Sequence, residues 1–433
     1  MIYLQAIGGY IIFLGIAFLL SSNRTAINYR LVGAGLILQF ALAVLLLKTP
    51  LFVDLFYYLS KCFVRVLDFS LVGAQFIFGD LARNSFASAD VKHSLGFIFA
   101  FQVLPTIVFF STLTSGLYYL GILQKVVYGM AWLMSKTMKI SGAESLSAAG
   151  NIFLGQTEAP LLVKPFIPSM TKSEIMCVMT GGMATIAGGV MAAYIQFLGG
   201  NSMESKIAFA SYLLTASIIN APAGIVFAKI LYPETEKINQ ELKINKETLG
   251  ANLLDALSIG ASDGVKLAAN VGAMLLAFIA LIALINFGFE KIGYFSGLNE
   301  LINQSTDGRF KVFNMQYILG QVYRVFAFFM GVEWKETLQV GSLLGQKTVI
   351  NEFVSYMELS KMQDAQTLSP KSIAISTFAL CGFSNFSSIA IQVGAMSVLA
   401  PNQRANFSEL GFRALLASSL ACFMSGIWAG ILV

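Results

Sequence analysis

Residues 141–165 read SGAESLSAAGNIFLGQTEAPLLVKP. The stretch is too apolar for a loop and too short to cross a bilayer, which takes about 20 apolar residues as helix. Near its middle lie Gly155, Gln156, Thr157 and the carboxylate Glu158, followed by Pro160. A second stretch of the same kind, roughly 338–360, reads LQVGSLLGQKTVINEFVSYMELS and carries Glu352. Both predict helix–turn–helix hairpins that dip partway into a membrane. Non-helical backbone at that depth is tolerated where it is buried in protein or lines a cavity.

The rest of the chain supplies the membrane protein these hairpins require. Of 433 residues, 56% are apolar and 12% charged, and mean hydropathy is +0.73. Soluble domains carry about 25% charged residues, so half the charge needed for a water-facing surface is missing. A net charge of +5 is too small for tracking phosphates, which argues against a nucleic-acid partner. The single histidine, His93, excludes multi-histidine metal sites, and the cysteines at 62, 177, 381 and 422 form no CxxC pair. Buried free thiols are the expectation for most of them.

Eight stretches without Asp, Glu, Lys or Arg are long enough to span as helices: 1–23, 31–47, 94–124, 175–203, 207–228, 267–289, 372–403 and 414–433. The first lacks the basic start and cleavage pattern of a signal peptide and is kept as a helix. No stretch shows the alternation of a barrel strand. Between spans, Asp54, Lys61, Arg65 and Asp68 share a helical face within 51–70, predicting an amphipathic helix at the interface. Residues 229–266 begin as the most polar part of the chain and end in ANLLDALSIGASDGVK, a second interfacial helix leading into the sixth span.

The two hairpins each precede a span with a weak centre. Span four reads MTGGMATIAGGVMAAY and span seven ALCGFSNFSSIAIQVG. A shift of 200 sets Gly182 against Gly382, Thr185 against Asn385 and Gly188 against Ser388. Paired interruptions in corresponding halves mark a transporter's binding site. The short loops place Arg24, Arg30, Arg404 and Arg413 inside, with both termini outside.

A carboxylate inside the bilayer costs about 2.5–3.5 kcal/mol on insertion scales. Glu158 and Glu352 are therefore expected to face a cavity and to find partners; exposure at loop ends is the alternative. Gln156 offers donors and an acceptor, which suits a heterocycle edge. Ser384, Asn385, Ser387 and Ser388 cluster in one turn, where they could bind a ligand or serve helix packing. An alkali cation needs oxygen ligands by the logic of hard cations. Asn151 and Thr185 offer side-chain oxygens, and unwound backbone near Leu154 and Ile186 offers carbonyls.

NIFLGQTEAPLLVKPFI, GGMATIAGGVMAAYI, ANLLDALSIGASDGVKLA, INEFVSY and CGFSNFSSIAIQVGAM, in this order and spacing, resemble the concentrative nucleoside transporters. The resemblance covers nearly the whole chain. It implies an all-α polytopic membrane protein: eight transmembrane helices, two re-entrant hairpins, interfacial amphipathic helices, and an inverted-repeat transport domain moving elevator-fashion on a trimeric scaffold. Residues 1–124 would be mainly scaffold and 125–228 the first half of the transport domain. Residues 229–315 would hold the polar loop, an interfacial helix and scaffold span six, and 316–433 the second half. By the same resemblance Gly155, Gln156, Thr157 and Glu158 contact the base, and Val190 packs near it. Glu352, Asn385 and Ser388 hold the ribose, with Phe383 as an apolar wall. Sodium is implied as the co-transported ion, at Asn151, Leu154, Thr185 and Ile186. The chain keeps the Asn and GQTEAP pattern that proton-coupled relatives tend to lose, and Thr185 stands where serine is usual. A multi-pass protein of a bacterial inner membrane, importing nucleosides such as uridine, is the expectation. Proton coupling, a nucleobase substrate, a channel and an intramembrane enzyme are the alternatives.

Overall fold

A computed structural model describes residues 2–82, 98–200, 202–242 and 250–433. His93 lies outside the described residues, as does the start of the third expected span. All regular elements among the described residues are helical. In chain order they are Ile2–Leu19 (α1), Tyr29–Lys48 (α2), Pro50–Phe78 (α3), Phe99–Gln102 (α4), Leu104–Tyr119 (α5) and Ile122–Met138 (α6). Next come Gly142–Gly150 (α7), Lys172–Ala184 (α8), Gly188–Gly199 (α9), Met203–Leu231 (α10), Leu253–Ser296 (α11) and Leu298–Ser305 (α12). Met315–Phe329 (α13), Thr337–Val349 (α14), Glu352–Asp364 (α15), Pro370–Leu380 (α16), Phe386–Leu399 (α17) and Arg404–Leu432 (α18) complete the chain.

Among the described residues seven segments are long and apolar enough to cross a membrane. They differ from the eight expected spans in three places. The first span is a shorter apolar helix, Tyr3–Leu19, and the seventh is split into α16 and α17. The amphipathic segment at 51–70 extends further than expected, through α3 to Ala82, and qualifies by length and composition. Its amphipathic character stands: Phe56, Ser60, Val64, Leu67, Ser70 and Ala74 form the buried stripe, while Asp54, Arg65 and Asp68 are exposed. The charges lie along one face, so they do not end the helix.

The expected interfacial helix before the sixth span is not separate. It is the first part of α11, capped by Asn252 accepting from the Asp255 amide and stopped at Gly297, with φ 74°. Gly260 and Gly264 let α11 lie against α5: a Cβ at Gly264 would sit 2.7 Å from Val108 Cα. Small residues four apart allow such backbone approach in membranes.

Both hairpins form. The second is helix–turn–helix, α14 into α15. The first descends as α7 but returns as turns and a 3₁₀ segment, Ala159–Val163, because Pro160, Pro165 and Pro168 interrupt an α-helical return. Each hairpin is followed by an interrupted helix and a long one: α8, α9 and α10, then α16, α17 and α18. The interruptions are Thr185–Ala187 and Cys381–Asn385. Helix ends correspond at an offset of 196 (380 − 184) and restarts at 198 (386 − 188), rather than at 200, because the second break is two residues longer.

Burial separates inner from outer helices. Most of the α8–α9 and α10 windows is buried (89%), against 22% for α11 and α3. Leu276, Leu284, Phe287 and Phe295 of α11 are exposed, leaving an apolar surface suited to lipid or a protein partner.

Candidate functional site

The first hairpin starts from a capping box: Ser141 Oγ accepts from the Glu144 amide, and Glu144 Oε2 accepts from the Ser141 amide. Buried Lys229 of α10 pairs with Glu144 and donates to Ser173 Oγ at 2.9 Å, tying the base of the hairpin and the start of α8 to α10. Three turns on, α7 ends at Asn151.

Asn151 packs on Gly181 of α8, where a Cβ would sit 3.3 Å from its Nδ2. Its Oδ1 is buried without a donor, an arrangement that is costly unless a cation or water completes it. Thr185 Oγ donates to Gly181 O at 3.0 Å, leaving its lone pairs available. Gly188 N donates to Phe153 O at 3.1 Å, which sets the hairpin tip beside the α8–α9 break. Asn151, Leu154, Thr185 and Ile186 are thus buried in one region. Their oxygen donors suit an alkali cation, and no cluster of His, Cys, Asp or Glu fit for a metal exists among the described residues.

From the tip a polar chain crosses the bundle. Gln156 Nε2 donates to Ser388 Oγ at 3.2 Å. Ser388 N donates to Asn385 Oδ1 at 2.8 Å, which caps α17. Asn385 Nδ2 donates to Glu352 Oε2 at 2.8 Å, and Tyr194 OH to Glu352 Oε1 at 2.9 Å. Glu352 is the first residue of α15, so its carboxylate meets the positive end of a helix. Gln156 Oε1 is buried and unpaired, an open acceptor at the near end of the chain.

The two hairpin carboxylates are not in contact. Glu158 Oε2 folds back onto the Gly155 amide at 3.1 Å, Thr157 is exposed, and the link to Glu352 runs through Gln156. Val190 is buried in α9, and Phe383 is buried in the second break with its N–H on Thr185 O at 3.3 Å.

The sequence reading missed four residues here. Tyr194 supports Glu352 and stacks on Tyr356 with centroids 4.3 Å apart. Asn220 of α10 donates to Ala184 O at 2.8 Å and Cys381 O at 2.7 Å, stapling the two breaks together. Gln392 donates to Met179 O at 3.1 Å, past Gly182, where a Cβ would sit 2.4 Å from its Nε2. Lys347 is buried and donates to Ala379 O. A lone Asn in an apolar helix, one turn from no other polar partner in sequence, was the available signal for Asn220.

Two hairpins and two interrupted helices meeting around a buried polar chain are the makings of a secondary transporter. Family models agree: "Na+ dependent nucleoside transporter N-terminus" matches residues 8–81, "Nucleoside recognition" residues 100–201, and "Na+ dependent nucleoside transporter C-terminus" residues 212–430. The chain belongs to the Na+-dependent, concentrative nucleoside transporter family. An uncharacterized transporter of Haemophilus influenzae is 42% identical, over 99% of this chain and 98% of its own length. Solute carrier family 28 member 3 of Mus musculus is 40% identical over 99% of this chain, which spans 59% of that relative's length. CNTnw, solved in an inward-facing substrate-bound state, is 40% identical with a TM-score of 0.89, covering 100% of this chain and 99% of the other. The family is one of membrane transporters coupled to sodium, not of enzymes.

Proposed function

We propose that this protein is a sodium–nucleoside symporter that imports nucleosides such as uridine across a bacterial inner membrane. The observation that carries this reading is the buried chain Gln156–Ser388–Asn385–Glu352, which begins one turn from the unpaired Asn151 oxygen. A nucleoside has a flat base with fixed donors and acceptors, and a sugar with vicinal hydroxyls. On this reading Gln156, with Thr157, Glu158 and the Gly155 backbone, reads the base against Val190. Glu352, Asn385 and Ser388 hold the ribose, and Phe383 closes the apolar side. Sodium binds Asn151, Thr185 and the carbonyls of Leu154 and Ile186. Ordering the tip that carries Gln156 makes ion and nucleoside raise each other's affinity by the same factor.

Transport by an elevator motion, with 125–228 and 316–433 moving against a scaffold of 1–124 and 229–315, is part of the proposal. Its support is that CNTnw has been solved in inward-facing, intermediate and outward-facing states. A homotrimer would cover the apolar surface of α11. In reconstituted vesicles, labelled uridine should accumulate under an inward sodium gradient. Equal accumulation with choline in place of sodium would overturn the proposal.

A further inference from the structure

In each half a hairpin helix ends beside the C-terminal end of an interrupted helix: α7 beside α8, α14 beside α16. Helix C-termini present orphan carbonyls and partial negative charge. Each junction therefore favours a cation. The offset of 196 that superposes the ends of α8 and α16 also carries Asn151 onto Lys347 (347 − 151).

The two junctions are satisfied differently. In the first, Asn151 presents a buried oxygen with no donor. In the second, Lys347 is 1% exposed, and its Nζ donates to Ala379 O at 2.9 Å. The neighbouring carbonyls of α16 are also taken. Thr377 O accepts from Tyr356 OH, Phe378 O from Cys381 N, Leu380 O from Gly382 N and Cys381 O from Asn220 Nδ2. Across the hairpin turn, Lys347 is within electrostatic reach of Glu352. A methionine could fill the same volume without the cost of burying a charge, so the ammonium itself calls for a role.

Building on the sodium and ribose assignments above, we propose that Lys347 is the tethered cation of the second half: its ammonium fills the place that sodium takes in the first and serves as counter-charge to Glu352. The protein then carries a single sodium per nucleoside. Lys347 is a positioning residue, acting on the ribose through Glu352.

The test uses the full-length protein in vesicles. For the wild type, sodium dependence of uridine binding should be hyperbolic and reversal potentials should give one sodium per nucleoside; a ratio of two overturns the inference. Lys347→Met fills the space without the charge, and should weaken uridine about tenfold or more while leaving 2′,3′-dideoxyuridine much less affected. Lys347→Ala opens an ion-sized gap and should turn the sodium curve sigmoidal. A Met variant that elutes, melts and binds uridine like wild type, or an Ala variant that stays hyperbolic, overturns it. Should neither variant fold, the wild-type ratio still decides. Wild-type binding indifferent to sodium would instead defeat the symport reading on which this one rests.

Discussion

Asn151 and Glu352 show how burial turns ordinary side chains into selective ones. Asn151 keeps a carbonyl oxygen away from water with no protein donor. Asn151→Ala removes one proposed oxygen ligand of the ion, and the sodium needed for half-maximal uridine transport should rise about 10-fold or more, corresponding to the ~1.5–3 kcal/mol of a bond to a charged group. Sodium-activation curves at fixed uridine check this. Glu352 is held by Tyr194 and Asn385, so its carboxylate is positioned before any sugar arrives. Glu352→Gln should weaken uridine by about 10–100-fold and 2′,3′-dideoxyuridine far less, because the hydroxyls that reward the charge are then absent. Competition counterflow gives the ratio; equal losses for both ligands would remove the ribose assignment.

At the level of elements, the breaks in α8–α9 and α16–α17 matter more than the helices around them. An unwound residue in a membrane leaves carbonyls that must be satisfied inside the protein. Asn220 and the two breaks themselves do so, through the Asn220 amide and the Phe383–Thr185 bond. The outer elements are held by closer contact. Gly264 of α11 lies where a Cβ would come 2.7 Å from Val108 Cα and 3.1 Å from Val108 O, both backbone atoms. Gly264→Val should therefore push α11 off α5 and cost about 1–3 kcal/mol. A lower melting temperature in detergent, with uridine protection retained, is the expected readout.

The molecule as a whole places a well-buried inner group, α8, α9, α10 and α18, behind outer helices whose apolar surfaces stay exposed. If the proposed trimer buries the α11 surface, light scattering corrected for detergent should give three times the 46.9 kDa chain mass. A monomer mass at transport-competent conditions would count against the scaffold assignment.

Composition and the position of charges decided that this chain is a helical membrane protein, since lipid admits no unpaired backbone and 12% charge cannot cover a soluble fold. The two hairpins and both interrupted spans were legible because Glu158, Glu352 and the Gly-rich and Ser-rich centres violate the apolar pattern locally. Length was harder to read. The helices α3 and α11 run past their apparent ends because charge on one face does not stop a helix whose backbone bonds are local. Partners distant in sequence were beyond the sequence altogether. Tyr194 meets Glu352 across 158 residues, and Asn220 meets Cys381 across 161. Such pairs depend on which helix faces pack together, and that is settled by the shapes of all the helices at once. Local pattern thus determined what kind of groups lie at mid-depth, and tertiary packing decided which of them touch.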